Sequence, residues 1–223
     1  MLRENNCMIP KGLFLTFEGV DGCGKSTQVA RAVESLQRRG VACMATREPG
    51  GTRIAEKIRS LLLSPDNDAM VDRCEVLLYL AARAQHVEEK ILPALADGVV
   101  VVCDRFQEAT FAYQGWGRGM NLQAVQQCNS FATAGITPDH TFVFDINIDI
   151  AHTRLHNMDK SPDRLEGNSR SFFKRVRQGY QDLVRSNPQR MTLLDGGRPI
   201  DELSLNIISK LDFLLEQKRI AHA

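Results

Sequence analysis

Short apolar runs alternate along this chain with longer stretches in which apolar residues recur every three or four positions. Runs of the first kind predict β-strands, and stretches of the second kind predict amphipathic helices. The predicted strands cover residues 13–17, 41–46, 99–103, 141–146 and 191–194. Because each strand is followed by a helical stretch, the pattern predicts an α/β fold built on a doubly wound parallel sheet.

The predicted helices cover residues 25–39, 54–63, 73–93, 122–133, 150–155, 171–185 and 200–217. Among the strands, the run Val-Val-Val-Val-Cys at 99–103 is the most continuously apolar. Such a run is typical of a parallel strand that is covered on both faces. We therefore place this strand at the centre of the sheet.

The domain organisation follows from length and composition. A chain of 223 residues, of which 43% are hydrophobic, can bury roughly 70% of its unfolded surface in one core. No Pro-, Gly- or Ser-rich linker divides the sequence, so we expect a single domain over residues 12–223, preceded by a flexible tail at 1–11. The polar, irregular segment at about 154–170 is interpreted as a lid over the site, with an ordinary surface loop as the alternative.

The strongest chemical signal lies between the first predicted strand and the first predicted helix. The pattern Gly19-x-x-x-x-Gly24-Lys25-Ser26 is that of a P-loop, whose backbone N–H groups and helix N-terminus bind phosphates. In this motif Lys25 reaches the β- and γ-phosphates, and the hydroxyl of Ser26 is a ligand for Mg²⁺. A glycine-rich turn with a surface lysine is the alternative, but the strand–turn–helix context favours the P-loop. The predicted ATP-binding residues are Gly19, Val20, Asp21, Gly22, Cys23, Gly24, Lys25, Ser26 and Thr27.

Composition and charge narrow the function classes. The net charge is +1 and the basic residues are interspersed with acidic ones, so the basic stripe of a nucleic-acid-binding protein is missing. No apolar run reaches the length of a membrane span. The six cysteines show no C-x-x-C pair or metal-ligand spacing, which favours free thiols in a reducing cytoplasm.

Charged residues follow two of the predicted strands. Arg47 comes after the second strand and begins a loop rich in proline and glycine, while Asp104 and Arg105 follow the run at 99–103. Open α/β sheets bind ligands at the carboxyl ends of their strands, beside the P-loop in this case. For Arg47, a surface loop explains the residue equally well. For Asp104 and Arg105, charges beside a core strand need a partner, and a polyphosphate with its metal supplies one. A helix-capping aspartate is the alternative for Asp104.

Two further segments could contribute to a pocket. Tyr79, Arg83 and His86 lie three or four residues apart on one face of the third predicted helix, although packing and solvated charge explain that pattern better when it is considered alone. The segment 109–119 is rich in glycine and aromatic residues and contains Trp116. We interpret it as a loop that lines a small-molecule pocket.

A P-loop fold supports several functions, so the reaction has to be inferred from other residues. A guanine-nucleotide switch needs an Asn-Lys-x-Asp string, and the nearest string, at 157–160, has the wrong order. A kinase needs an acceptor pocket beside the γ-phosphate. Arg47, Tyr79, Arg83, Asp104 and Arg105 could form such a pocket, together with the segment 109–119.

Six strings, in this order, carry a specific resemblance to a known family. They are Phe-Glu-Gly-Val-Asp-Gly-Cys-Gly-Lys-Ser-Thr at 17–27, Arg-Glu-Pro-Gly-Gly-Thr at 47–52, Ala-Arg-Ala-Gln at 82–85, Asp-Arg-Phe at 104–106, Ala-Tyr-Gln-Gly at 112–115 and Asp-Arg-Leu-Glu at 163–166. The chain thereby resembles the thymidylate kinases over nearly its whole length.

The resemblance implies a P-loop NTPase fold like that of the nucleoside monophosphate kinases, with a five-stranded parallel sheet flanked by helices on both faces. It implies Mg²⁺-dependent transfer of the γ-phosphoryl group of ATP to dTMP, giving dTDP and ADP for DNA precursor synthesis. It also implies a cytoplasmic homodimer. Another P-loop nucleoside monophosphate kinase is the alternative, followed by a P-loop switch.

The resemblance assigns roles in the acceptor pocket as well. Arg47 and Arg105 hold the dTMP phosphate, Tyr79 stacks on the thymine ring in place of the more usual Phe, and Arg83 donates to O4 of the base. Thr110 and Gln114 complete the base contacts. Tyr113 bounds the sugar, and Asp21 faces the 3′-hydroxyl and the bridging phosphates.

The remaining expectations concern metal binding and catalysis. Ser26 and Asp104 are the expected Mg²⁺ ligands, and Lys25, Asp21 and Arg105 are expected to act in catalysis. Some thymidylate kinases carry a catalytic arginine inside the P-loop, where this chain has Gly22, so here the cation has to come from the lid. Arg164 is our first candidate for that cation and Arg154 the second, with Lys160 also in the segment.

Overall fold

The computed structural model describes residues 12–157 and 163–221. The predicted tail at 1–11 and the middle of the predicted lid, with Lys160, lie outside these residues. Within them, five parallel strands form one sheet in the spatial order β2-β3-β1-β4-β5. The strands are β1 (Phe14–Gly19), β2 (Cys43–Arg47), β3 (Val100–Asp104), β4 (His140–Asp145) and β5 (Met191–Asp195).

The middle of the sheet is β1, which differs from the prediction. Strand β3 lies one position away from the centre, paired with β2 on one edge and β1 on the other. Both β1 and β3 are apolar and flanked by strands on both sides, so an apolar run alone could not tell which of them is central. In the observed register, Phe17 of β1 lies opposite Asp104 of β3. This pairing brings the start of the P-loop and the end of β3 together.

Helices cover both faces of the sheet. They are α1 (Lys25–Arg38), α2 (Arg53–Leu63), α3 (Asp72–His86), α4 (Leu92–Ala96), α5 (Gln107–Thr110), α6 (Leu122–Ala132), α7 (Ile148–His156), α8 (Arg170–Ser186) and α9 (Ile200–Ala221). A short 3₁₀ turn lies at Pro65–Asn67. Two π-helical segments, Val87–Ile91 and Phe111–Gly117, continue α3 and α5.

The segment 109–119, predicted to be a loop, is mostly helical. Its π-helical turns run directly on from α5 and pack on α8. Gly115 and Gly117 serve close packing, since a Cβ added there would stand 2.9 Å from the side chain of Leu122 and 2.7 Å from the ring of Phe172. The prediction of a loop is therefore wrong for Phe111–Gly117, where the glycine-rich sequence is helical.

Two groups of buried residues form the core. The larger one contains Leu15 and Phe17 of β1, together with apolar side chains from α1, α8 and α9. The smaller one lies against the π-helical segment Val87–Ile91 and α4 and contains Phe14 and Val101. Residues 14 and 15 point to opposite faces of β1, so the central strand is buried on both sides and can hold the P-loop at its end.

Candidate active site

The P-loop lies between the carboxyl end of β1 and the start of α1. Gly24, the residue before the helix, adopts a left-handed conformation with φ 97°, which glycine reaches without steric strain. A Cβ at Gly22 would stand 2.4 Å from the backbone oxygen of Ala151 in α7. The loop thus packs closely against α7, and its glycines let the backbone turn tightly around a space suited to phosphates.

Lys25 is buried and lies along this loop. Its Nζ atom donates to the backbone oxygen of Val20 over 3.1 Å and lies 3.7 Å from Oδ1 of Asp21. The ammonium group is therefore held at the loop by one carbonyl and one carboxylate. A ligand phosphate in the loop would meet this cation directly.

Ser26, in the first turn of α1, and Asp104, the last residue of β3, lie next to each other. The hydroxyl of Ser26 donates to Oδ2 of Asp104 over 2.8 Å. A hydroxyl and a carboxylate at this separation form the oxygen donor set that Mg²⁺ uses when phosphates and water complete its coordination. The predicted metal ligands thus come together in the fold.

Arg105 is held in an uncommon backbone conformation, with φ 70°. Its Nη2 atom donates to Oδ1 of Asp21 over 2.6 Å, and its guanidinium lies 3.4 Å from the hydroxyls of both Tyr113 and Tyr180. Burial by itself would lower the pKa of Arg105, but the nearby Asp21 carboxylate outweighs it and holds the pKa well above its ordinary value. The side chain stays charged.

Glu18, the fifth residue of β1, stabilises this conformation through hydrogen bonds to the residues that follow Arg105. Its Oε1 accepts from the backbone N–H of Phe106 over 2.7 Å and of Ala109 over 3.3 Å. Its Oε2 accepts from the hydroxyl of Tyr180 over 2.8 Å. Burial and then the nearby Glu108 carboxylate raise the pKa of Glu18 to about 8. The only sequence signal for this role was an acidic residue inside an apolar strand.

One pocket opens beside the P-loop and contains most of the predicted acceptor residues. Its lining includes Asp21, Tyr79, Arg83, Arg105, Thr110, Tyr113 and Gln114. Three elements far apart in sequence, the P-loop, α3 and the helical segment 107–117, therefore meet around one cavity. Asp163 and Leu165, in the second half of the predicted lid, also line this cavity.

Arg47 is not among the residues that line the pocket. Its Nη2 atom donates to both carboxylate oxygens of Glu56, at 3.0 Å each, and Glu56 also accepts from the backbone N–H of Gly51. Arg47 therefore braces the loop that leads to Pro49, which does line the pocket. Arg59 of α2 lines the pocket instead. The rule that ligands bind at the carboxyl ends of strands does not point to a residue in the middle of a helix.

Arg83 is almost completely buried and most of its donors are already used. It donates to Glu48 Oε2, to Thr110 Oγ1, to Asn129 Oδ1 and to the backbone oxygen of Phe106. A guanidinium has five N–H donors, so at most one remains for a ligand. Arg83 both shapes the pocket wall and can offer a single hydrogen bond into the pocket.

Tyr79 lies one helical turn before Arg83 and is partly buried at the pocket wall. Burial raises the pKa of its hydroxyl, and the Glu75 carboxylate raises it further. The side chain therefore stays neutral and offers an aromatic face, which suits stacking on a flat ring. His86, on the same face in the prediction, lies away from this wall, where its Nδ1 is 3.0 Å from Glu48.

The two lid arginines occupy different places. Arg154 in α7 donates to the backbone oxygens of Gly22, over 3.4 Å, and of Gly196, over 3.1 Å. Arg164 instead donates to Glu75 over 2.6 Å and to the backbone oxygen of Leu62 over 2.8 Å. Arg154, the second candidate, therefore lies at the P-loop. Arg164, the first candidate, is bonded to the buried carboxylate of Glu75, and a guanidinium so close to an ionised Glu is strongly attracted to it.

Among residues 12–157 and 163–221, no helix is long and apolar enough to cross a membrane. In comparisons with known proteins, the family model described as "Thymidylate kinase" matches residues 17–207. A thymidylate kinase from Desulfosudis oleivorans is 45% identical over 206 residues, covering 90% of this chain and 96% of that protein. A thymidylate kinase from Pelotomaculum thermopropionicum is 43% identical, covering 92% of this chain and 95% of that protein. One from Ectopseudomonas mendocina is 43% identical, covering 93% and 99%.

Proposed function

The chain belongs to the thymidylate kinase family, and we propose that the pocket beside the P-loop holds dTMP while the P-loop holds the phosphates of ATP. It is a nucleoside monophosphate kinase with the five-stranded P-loop fold of that family. The reaction moves the γ-phosphoryl group of ATP to dTMP and gives dTDP and ADP. The observation that carries the placement is one cavity lined by Asp21, Tyr79, Arg83, Arg105 and Gln114 that opens at the P-loop.

The thymine ring stacks on Tyr79 in this proposal. The remaining donor of Arg83 meets O4 of the base, and Gln114 meets the edge beside it. Thr110 contributes indirectly, since its hydroxyl accepts from Arg83 over 2.9 Å and so fixes the position of the guanidinium. Tyr113, buried beside Arg105, bounds the sugar.

Arg105 binds the phosphate of dTMP, with Arg59 as the second cation. Both side chains line the pocket, and two guanidinium groups can neutralise a phosphate dianion and let it approach ATP. Asp21, which is bonded to Arg105 and lies close to Lys25, connects the acceptor side to the donor side. Arg47 keeps a supporting role through Glu56.

Mg²⁺ fits the oxygen pair formed by Ser26 and Asp104. When bound with ATP, this ion supplies charge neutralisation at the phosphates. Asp104 ends β3 and Ser26 lies in the first turn of α1, and their direct hydrogen bond of 2.8 Å holds the two oxygens together. They would hold the ion on the side of the P-loop that faces β3.

The residues of the chain align the two substrates and stabilise charge on the transferred group, and they form no covalent intermediate. The acceptor phosphate oxygen is already a nucleophile at neutral pH, so the transfer requires alignment with the γ-phosphate and stabilisation of charge on its oxygens. Lys25 supplies one cation from the loop. We assign the second to Arg154, because its guanidinium already lies at Gly22, where some thymidylate kinases carry an arginine. Residues 154–170 then act as the lid.

We also propose that the enzyme is a cytoplasmic homodimer. Leu61 of α2 and Leu77 of α3 lie on neighbouring helices, and each exposes more than half of its surface, as expected where a second copy packs. The cysteines among the described residues are free, which suits a reducing compartment.

The experiment that tests the proposed function is a coupled ADP-release assay with ATP and Mg²⁺ across a panel of nucleoside monophosphates. We expect ADP release to depend on the acceptor and to be fastest with dTMP. Faster turnover of a purine or cytosine nucleotide would assign the pocket to another monophosphate kinase activity. Equal ADP release without any acceptor would overturn the proposal altogether.

A further inference from the structure

A buried carboxylate lies behind the base end of the pocket. Glu75 of α3 is fully buried, and its Oε1 accepts from Nε2 of Gln114 over 2.9 Å and, at the longer distance of 3.3 Å, from Nε of Arg118. Its Oε2 accepts from Arg118 over 3.0 Å and from Arg164 over 2.6 Å. One carboxylate thus connects α3 to the pocket-lining Gln114 and to two guanidinium groups.

This carboxylate is ionised. Burial by itself would raise the pKa of Glu75, but the hydrogen bonds from Arg118 and Gln114 outweigh it, and the pKa lies below its ordinary value. An ionised carboxylate can only accept hydrogen bonds. Each group that faces Glu75 must therefore turn a donor towards it.

The ionised carboxylate of Glu75 fixes the orientation of the Gln114 amide. An amide presents a donor at Nε2 and an acceptor at Oε1, and its orientation is set by the hydrogen-bond network around it. Turning Oε1 towards Glu75 would bring two acceptors together in a buried place, which is costly. Nε2 therefore stays on Glu75, and Oε1 is the acceptor that Gln114 can offer to the pocket.

We propose that Glu75 is a specificity-determining positioning residue, which makes the pocket select pyrimidines with an N3–H donor by fixing the orientation of the Gln114 amide. The proposal rests on the proposed function, since it assumes that the base lies beside Gln114. Thymine and uracil carry a donor at N3 and an acceptor at O4. Cytosine carries an acceptor at N3 and a donor amine at position 4, so it mismatches Gln114 and the remaining donor of Arg83 together.

The test is the substitution Glu75→Gln, assayed with dTMP and dCMP. Oε2 of Glu75 receives the two shorter guanidinium bonds, at 3.0 and 2.6 Å, whereas Oε1 receives only the longer one from Arg118, at 3.3 Å, so the new amide places its oxygen at the Oε2 position and its NH₂ group opposite Gln114. Gln114 must then invert and present Nε2 to the pocket. We expect the ratio of kcat/KM for dTMP to that for dCMP to fall by roughly tenfold or more, with little change in KM for ATP.

The ratio does not depend on how much of a preparation is folded, because both acceptors are assayed with the same sample. Glu75→Asp keeps an acceptor-only group, and we expect it to keep most of the discrimination. If Glu75→Gln yields no soluble enzyme, Glu75→Met, which frees the Gln114 amide, must lower the same ratio. An unchanged ratio in either variant would overturn the proposal.

Arg118→Met is the matched control. It removes two hydrogen bonds to Glu75 but leaves the bond between Glu75 and Gln114, so we expect a lower melting temperature and an unchanged ratio. If the ratio falls as far in this control as in Glu75→Gln, then any weakening of the hydrogen bonds around Glu75 lowers the discrimination. That result would contradict the proposal. Failure of the wild-type enzyme to use dTMP would instead contradict the proposed function itself.

Discussion

Arg105 at the end of β3 donates to Asp21 in the P-loop, with 2.6 Å between Nη2 and Oδ1. Both residues line the pocket beside the P-loop, and Asp21 also lies 3.7 Å from Nζ of Lys25. Alternating charges, Arg105, Asp21 and Lys25, therefore join this pocket to the P-loop. The register of β1 and β3 produces this arrangement, since it brings the ends of the two strands side by side.

Lys25→Ala should abolish most of the phosphoryl transfer while the protein remains folded. The ammonium group contacts a loop carbonyl, the Cys23 sulfur and Asp21, all within the P-loop, so its loss mainly removes charge at the transferring group. We expect kcat to fall on the order of 10²-fold or more. Steady-state kinetics and a thermal melt check the two parts, and a folded variant with near-normal turnover would contradict the assignment of the P-loop.

Arg154→Ala and Arg164→Ala should behave differently. Because Arg154 lies at Gly22 of the P-loop, its removal should lower kcat by roughly tenfold or more, with KM for dTMP little changed. Removing Arg164 leaves Glu75 with one guanidinium fewer in a buried place and should cost about 2 kcal/mol of unfolding free energy.

The two variants are compared by denaturant unfolding and by turnover at saturating substrates. A normal kcat in Arg154→Ala would remove this arginine from the transition state. A fully stable Arg164→Ala with reduced kcat would restore Arg164 as the catalytic cation of the lid.

Arg83→Ala should destabilise the protein as well as weaken dTMP binding. Arg83 is the partner of the buried carboxylate of Glu48, at 2.7 Å, and deleting one member of a buried ion pair costs roughly 3 kcal/mol or more. The loss of one hydrogen bond to the base adds roughly 1–3 kcal/mol in kcat/KM for dTMP. Denaturant unfolding without dTMP measures the loss of stability, and steady-state kinetics measures the loss in kcat/KM for dTMP. A variant as stable as the parent would show that Glu48 finds another donor.

Glu18 should make stability depend on pH. Its pKa is about 8 in the folded protein and about 4.3 in the unfolded chain, so the folded state binds more protons between these values. The stability from protonated Glu18 is full below the unfolded pKa and is lost as the pH rises through the folded pKa. Melting temperatures of the wild type and of Glu18→Gln should therefore diverge between about pH 5 and 8.5, with the wild type losing more. Parallel curves would contradict this prediction.

Much of the site follows from local sequence. The P-loop could be predicted because its glycines, Lys25 and Ser26 act through the backbone between one strand and one helix. Asp104 and Arg105 could be predicted because a parallel sheet gathers the ends of its strands at one edge. These predictions required no knowledge of side-chain orientation.

The remainder depends on which side chains meet across the fold. The packing of α2, α3 and residues 163–168 against one another sets three features of the site. These are the pairing of Arg47 with Glu56, the pairing of Arg164 with Glu75 and the position of Arg59 in the pocket. Glu75 carried no sequence signal, since an acidic residue in the first turn of a helix usually faces solvent. The π-helical geometry of residues 111–117 could not be predicted from the sequence either, because glycine and aromatic residues occur both in loops and in tightly packed helices.

The most direct test of the account is to follow the phosphoryl group itself. Purified enzyme is incubated with dTMP, Mg²⁺ and ATP radiolabelled in the γ-phosphate, and the products are separated by chromatography. We predict that the label appears in dTDP in step with ADP formation, and that omitting dTMP stops both. Label released as inorganic phosphate at an undiminished rate, with none in dTDP, would contradict the assignment of the pocket as the dTMP site of a kinase.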